Sequence, residues 1–158
     1  MTVRVHITRA NDGRKKWKAT VRVGTRAPCT VKFGQYGASD FTKHKDVLRM
    51  YKYVRRHHAI DMPRLKKDNG SYTAKQLATL QARLDRVVTS SRERWGIEGV
   101  CTAGFWSRWL TWSRPTLAEA KEFMSETFGI VFETTQKPSK SPRRASSRRK
   151  SPSKKKKP

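Results

Sequence analysis

Residues 102–117, TAGFWSRWLTWSRPTL, constrain the fold of this chain more than any other segment, because they hold three of its five tryptophans. At helical spacing, Phe105, Trp109 and Trp112 form one row, and Trp106 and Leu110 form a second row beside it. A helix that is apolar around so much of its girth belongs in a protein core. We therefore predict a central core helix, capped by the threonine that opens the segment and ended by the proline near its close.

A partner-binding face is the alternative reading of the same segment. Tryptophans that the core does not use would be available to another protein, and tryptophan and arginine are the residues most enriched at the centres of interfaces. Two arginines flank the aromatic side chains and could stack on them or reach an acidic partner. The candidate interface residues are Trp106, Arg108, Trp112 and Arg114.

The first 35 residues predict a small antiparallel sheet. Apolar and polar side chains alternate over residues 3–7, 16–23 and 29–33, and turn signals such as Asn11-Asp12-Gly13 separate these runs. The result is a three-stranded meander with one apolar face and one basic face, the latter including Arg4, Lys16, Lys18 and Arg22. A solvated surface is the ordinary role for such a face, and contact with phosphates is the other.

The middle of the chain predicts about four helices packed on that sheet. Their expected spans are 43–58, 73–93, 102–113 and 115–128, and the second opens with the capping box Thr73-x-x-Gln76. Residues 130–132 could add a C-terminal strand, after Gly129 at the end of the last helix. The predicted fold class is therefore α+β, with a globular domain over residues 1–136.

Composition changes sharply after residue 136. Residues 137–158 contain four prolines, six serines, eleven lysines or arginines and no acidic residue, which is typical of a disordered basic tail. Ser141-Pro-Arg-Arg144 and Ser151-Pro-Ser-Lys154 resemble the repeats of linker-histone and protamine-like tails. A flexible polycation binds DNA or RNA through counterion release; a solubilising extension or a localisation signal is the alternative. The candidate nucleic-acid-binding residues are Lys137, Lys140, Arg143, Arg144, Arg148, Arg149, Lys150, Lys154, Lys155, Lys156 and Lys157.

Charge and cysteine content indicate which partners the protein binds and in which redox environment it works. The net charge of +25 predicts association with polyanions, and the 26 basic residues outside the tail still outnumber the 12 acidic ones. No apolar run reaches the ~18 residues of a membrane span, and no signal peptide is evident. We therefore expect an intracellular protein in which Cys29 and Cys101 are buried, reduced thiols. Their spacing to His57 and His58 does not favour a zinc site, and no cofactor is expected.

The acidic residues do not favour catalysis. His44 with Asp40 and Asp46 is the only local grouping of an imidazole with carboxylates, and its spacing suits helix capping and surface pairing better than proton transfer. No other spacing suggests a nucleophile with its base or a pair of catalytic carboxylates. The sequence therefore predicts a protein that is not an enzyme.

Two motifs resemble a known family. Residues 33–46, FGQYGASDFTKHKD, and the tryptophan-rich residues 102–117 are similar to motifs of small basic proteins of large nucleocytoplasmic DNA viruses, including chlorella viruses and giant amoebal viruses. The resemblance covers most of residues 1–132, and residues 61–94 resemble an insertion relative to shorter members. Thr111 and Ser113 depart from the motif, which more often has leucine and asparagine there.

The family has no well-established biochemical activity, and the resemblance implies a virus-encoded protein that is carried in the virion as a minor capsid or core component. Our first hypothesis is a minor capsid protein on the inner face of the virion shell, which contacts major and other minor capsid proteins and reaches the packaged DNA with its tail. During assembly it would occupy the host cytoplasm or nucleus. A non-structural protein that binds or condenses nucleic acid is the second hypothesis. Contact with an anionic inner membrane through residues 43–58 is the third.

Overall fold

The N-terminal strands form the predicted meander, and a fourth strand joins it. The computed structural model describes residues 2–65 and 71–134. Its strands are β1 (Val3–Arg9), β2 (Lys15–Val23), β3 (Cys29–Gln35) and β4 (Ile130–Glu133). They lie in the order β3-β2-β1-β4, in which β1 pairs antiparallel with β2 and parallel with β4. The predicted α+β class is confirmed, including the C-terminal strand.

The helices lie between β3 and β4 in the chain. They are α1 (Phe41–His44), α2 (Val47–Arg56), α3 (Ala74–Leu84), α4 (Ala103–Trp106) and α5 (Leu117–Phe128), with a 3₁₀ turn at Ile97–Gly99. A π-helical turn, Ser107–Thr111, continues directly from α4. The predicted boundary of the domain after residue 136 lies outside the described residues.

The tryptophan-rich segment lies at the centre of the core, as the core-helix reading predicted. The Trp106 ring packs 6.0 Å from Phe33 of β3 and 6.4 Å from Phe132 of β4, measured between ring centroids. Trp109 contacts Phe128 of α5 at 5.3 Å, and its indole nitrogen donates to the carbonyl oxygen of Trp95. The tryptophan-rich segment and α5 therefore cover one face of the sheet.

The helix predicted over residues 102–113 is not a regular α-helix, because the π-helical turn follows directly after the four residues of α4. Thr102 caps its start by accepting from the amide of Phe105. Beyond α4, the Thr111 hydroxyl donates to the carbonyl of Ser107, and the Ser113 hydroxyl donates to that of Trp109. Thr79 makes the same kind of bond to Lys75 inside the regular helix α3, so such bonds accompany the π-helical turn but are not sufficient to produce it.

Two predicted helices are shorter than expected. The span 43–58 is divided at Lys45, which adopts a left-handed conformation, and Asp46 caps α2 afresh by accepting from the amides of Leu48 and Arg49. The helix that Thr73 caps ends at Leu84 and not near residue 93.

The chain after α3 instead pairs with the chain that leaves α2. Ile60 N–H donates to the Thr89 carbonyl, and Ser91 N–H donates to that of His58. These bonds take backbone groups that a longer helix would need. The last helix begins at Leu117, with Thr116 as its cap, and Gly129 ends it in the left-handed conformation as predicted.

Candidate nucleic-acid interface

The uncovered face of the sheet places like charges directly opposite one another. Arg4 of β1 is the register partner of Arg22 of β2, and Lys18 of β2 is the partner of Lys32 of β3. Side chains directly opposite each other across two strands share a face and lie close together, so like charges there repel. We call these four residues the basic sheet face. An anion lying across it would relieve the repulsion.

One member of the basic sheet face has an acidic partner. The Lys32 ammonium lies 3.0 Å from a carboxylate oxygen of Asp12 in the first hairpin turn. Hydrogen bonds from the backbone amides of Lys15 and Arg14, together with Lys32, hold the pKa of Asp12 below its usual range. Among the described residues, no carboxylate lies within 4.0 Å of the basic groups of Arg4, Arg22 or Lys18. The basic sheet face therefore keeps a net positive charge.

Sequence reasoning identified only part of this face. Alternation assigned Arg4, Lys18 and Arg22 to the polar side, and Lys32 follows the same alternation in β3. Lys16 was assigned there too, and that assignment was wrong. Its side chain is buried and ion-pairs with the buried carboxylate of Asp40, which lies beyond the end of β3. Lys16 and Asp40 are 24 residues apart, and an ion pair over such a separation produces no periodic pattern in the sequence. The eleven basic residues predicted to bind nucleic acid in 137–158 lie outside the described residues.

The four candidate interface residues do not share one surface. Trp106 and Arg108 have exposed fractions of 0%, so neither is accessible to a partner on the surface of the folded chain. Trp112 is partly buried, and its ring stacks on that of Tyr53 at a centroid distance of 4.3 Å. Arg114 is partly buried, pairs with Asp85 at 2.7 Å and lies over the Phe123 ring. Only Trp112 and Arg114 remain available to the interface hypothesis.

Arg108 has a structural environment that its charge did not suggest. Its guanidinium donates to the carbonyl oxygens of Leu84 and Trp112 and lies 4.1 Å from the centre of the Trp109 ring. Burial lowers the pKa of Arg108 to about 10, and the nearby Asp85 carboxylate partly offsets this effect. An arginine buried among aromatic rings and carbonyls stabilises the core and does not bind a partner.

The two cysteines are joined in a disulfide, which corrects the prediction of buried, reduced thiols. The bond links β3 to the residue before the cap of α4, across 72 positions, with the two Cα atoms 6.1 Å apart. Cys101 is exposed and Cys29 is partly exposed, so the bond lies at the surface. The fold brings the two residues together; their separation in the sequence gave no indication of it. Within residues 2–65 and 71–134, no group of three or more His, Cys, Asp or Glu residues could hold a metal ion.

The grouping of His44 with Asp40 and Asp46 has the capping role that was expected. Asp40 accepts from the amide of Thr42 at the start of α1, and Asp46 accepts from two amides at the start of α2. The Nδ1 atom of His44 accepts from the amide of Asp46 at 2.9 Å, and its ring lies 5.2 Å from that of Trp112. Burial, reinforced by Arg49, lowers the pKa of His44.

The apolar side of α2 is turned towards the core. Met50, Tyr51, Tyr53 and Val54 are buried, while Lys52, Arg55 and Arg56 are exposed. This helix could therefore offer a membrane surface charge but few apolar side chains, which weakens it as a membrane anchor. In the described part of the chain, no helix is long and apolar enough to cross a bilayer.

Comparison with known proteins finds one similarity. A family model described as a family of unknown function (DUF5754) matches residues 5–57, about a third of the chain. The matched stretch runs from β1 to the residue after α2, and so includes most of the basic sheet face but not the tryptophan-rich segment. No curated protein and no solved structure matches the chain.

Proposed function

We propose that this chain is a non-enzymatic structural protein of a virus particle, a minor capsid protein on the inner face of the shell of a large DNA virus. The resemblance of residues 33–46 and 102–117 to motifs of such viruses supports the viral setting. The basic tail would contact the packaged DNA, and the partly exposed Trp112 and Arg114 are candidates for contact with capsid proteins.

The observation that carries the nucleic-acid part of the proposal is the opposition of like charges on the basic sheet face. Arg4 and Arg22 face each other in the sheet register with no carboxylate at ion-pairing distance among the described residues. Such an arrangement costs stability when the chain is free, and phosphate groups would reverse that cost. Together with eleven cations in the tail, it gives the protein two separate sets of phosphate contacts.

Purified particles provide the test of location. Particles of the virus that encodes the chain should be treated with protease to remove adhering proteins, then opened and analysed by mass spectrometry. The proposal expects peptides from this chain in the opened, protease-treated particles. Their absence there, with abundant chain in infected cells, would contradict a structural role.

A non-structural protein that binds or condenses nucleic acid is the second candidate, and the basic sheet face favours it because this face belongs to the folded body. The two candidates differ in the effect of the tail. A full-length variant in which all eleven tail lysines and arginines become glutamine should lose most DNA binding if the tail makes the main contacts with packaged DNA and the basic sheet face only adds to them, as the first candidate requires. Retention of tight, salt-sensitive binding would favour the second candidate.

A further inference from the structure

A cavity of about 380 Å³ opens beside the π-helical turn. Its walls come from the start of β2, the loop after β3, the end of α2 and the turn itself, so four parts of the chain meet there. Volumes of this size are typical of sites for small organic ligands. Single-turn π-helical stretches also occur frequently beside functional sites.

Unpaired cations line this cavity. Lys15 and Arg56 contribute basic side chains, and within the described residues no carboxylate lies within 4.0 Å of either basic group. Asp40 is the acidic residue in the lining, and both of its carboxylate oxygens already accept hydrogen bonds. One accepts from Lys16, and the other accepts from the amide and hydroxyl of Thr42. The cavity therefore keeps a net positive charge that the chain itself does not neutralise.

A rigid stack of rings forms one wall. His57, Tyr53 and Trp112 line the cavity, with centroid distances of 4.3 Å from His57 to Tyr53 and 4.3 Å from Tyr53 to Trp112. Glu93 fixes the outer ring by pairing with His57 Nδ1 at 3.0 Å. Because the rings stack on one another, they form a fixed wall of low polarity. The basic groups and the hydroxyl of Ser39 are the polar groups that could contact a ligand.

We infer that this cavity binds the phosphate group of a phosphate monoester, with Arg56 and Lys15 as its charged contacts. A doubly charged, oxygen-rich group is the best match to two unpaired cations from separate walls, because charge-assisted hydrogen bonds to phosphate are strong and arginine can bind two oxygens at once. The free volume beyond one phosphate leaves room for its organic substituent. The monoester could be a free mononucleotide or the 5′ end of a nucleic-acid strand. This site is distinct from the basic sheet face and goes beyond the proposed function.

The test compares adjacent arginines in the full-length protein. Arg56→Gln removes a cation from the cavity, whereas Arg55→Gln removes the same charge from an exposed position that does not line it. Binding of AMP is measured by calorimetry at fixed ionic strength. Arg56→Gln should weaken AMP binding about tenfold, the effect of losing one charge-assisted contact, while Arg55→Gln should change it less than twofold. Lys15→Gln should act in the same direction as Arg56→Gln.

A second arm identifies the source of the phosphate. Two oligonucleotides, identical except for a 5′-phosphate or a 5′-hydroxyl, are compared for binding to the same proteins. Preference for the phosphorylated strand that Arg56→Gln abolishes and Arg55→Gln preserves supports a strand end. Binding of AMP without that preference supports a free mononucleotide.

Two results would overturn the inference. Equal losses in the two arginine variants would mean that diffuse charge explains the affinity, and an unsubstituted protein that neither binds AMP nor prefers the phosphorylated strand would have no such site. Urea unfolding of each variant verifies that the fold is retained. The presence of the chain in particles and the effect of the tail do not depend on Arg56, so the proposed function can fail or hold independently.

Discussion

Arg108 donates from Nη2 to the backbone carbonyl oxygen of Leu84 over 2.6 Å, and so ties the π-helical turn to the last residue of α3. The two positions are 24 residues apart, and neither is exposed. The same guanidinium reaches the carbonyl of Trp112, which makes it the polar link between three parts of the core. No other side chain among the described contacts bonds these two carbonyls.

Arg108→Ala should therefore destabilise the protein strongly. The substitution leaves a cavity and removes the hydrogen bonds to both carbonyls, of which only that of Leu84 keeps a second donor, the amide of Val87. The cost is about 3–5 kcal/mol. Arg114→Ala is the matched control, because that arginine is partly exposed and should cost about 1 kcal/mol. Urea unfolding followed by tryptophan fluorescence measures both. Similar values for the two variants would contradict the role assigned to Arg108.

Asp40→Asn should cost more than Asp46→Asn. Both aspartates cap helices, and asparagine is an equally good cap, so the capping contribution changes little in either variant. Only Asp40→Asn leaves the buried ammonium of Lys16 without its counter-charge, at a cost of about 3 kcal/mol. Free energies of unfolding decide the comparison. Restoration of stability in the double variant Lys16→Met/Asp40→Asn would attribute the loss to the unpaired charge, and equal costs for the two single variants would refute it.

Reduction of the disulfide should lower the free energy of unfolding by about 4 kcal/mol, the chain-entropy value for a closed loop of this length. Because Cys101 is exposed, a reducing agent should reach the bond without prior unfolding. The double variant Cys29→Ser/Cys101→Ser should be as unstable as the reduced protein and insensitive to the reducing agent. Mass spectrometry after thiol alkylation reports the bond directly. Free thiols in protein prepared under oxidising conditions would count against it.

The double variant Arg4→Gln/Arg22→Gln should weaken DNA binding and leave the free protein slightly more stable. Loss of two phosphate contacts should reduce the slope of log affinity against log salt by about 1.8. Removal of a like-charge pair should add a few tenths of a kcal/mol to stability. Lys75→Gln/Arg83→Gln, with the same charge change on α3, is the control. An identical slope change in the control would mean that the sheet has no special part in binding.

Acidification should destabilise the protein below neutral pH through His44. Its pKa is lowered in the fold, chiefly by burial, so the unfolded chain takes up this proton first. The contribution of neutral His44 is fully present above its ordinary pKa of about 6.5 and is lost as the pH falls below that value. Urea midpoints between pH 5.5 and 7.5 should fall on acidification, and His44→Gln should flatten this dependence. An unchanged dependence in the variant would assign the effect to other groups.

Local patterns predicted the elements better than their lengths. Alternation located β1, β2 and β3, and capping residues such as Thr73 and Thr102 located the starts of two helices. Helix ends were less predictable, because the end of α3 depends on backbone bonds between the chains that leave α2 and α3. The π-helical turn was likewise not predicted, because the spacing of apolar residues over 102–113 fits an ordinary α-helix.

The candidate sites also had features that the sequence predicted and features that it did not. The basic face of the sheet was predictable, since alternation is a property of neighbouring residues. The opposition of Arg4 to Arg22 was not, because register depends on how two strands pair. Trp106 and Arg108 were kept as interface candidates on residue type, yet the fold encloses both.

By itself, the sequence determined the α+β class, the faces of the strands except at Lys16, the burial of the aromatic segment and the concentration of positive charge. All of these follow from short-range periodicity and composition. Only the tertiary structure decided that Lys16 and Asp40 form a buried pair, that Cys29 and Cys101 are joined, and that Arg56 and Lys15 share one cavity. These relationships join residues from 24 to 72 positions apart or on different elements. The physical reason is that burial and charge pairing depend on distance in space, and a linear pattern of residues records distance only along the chain.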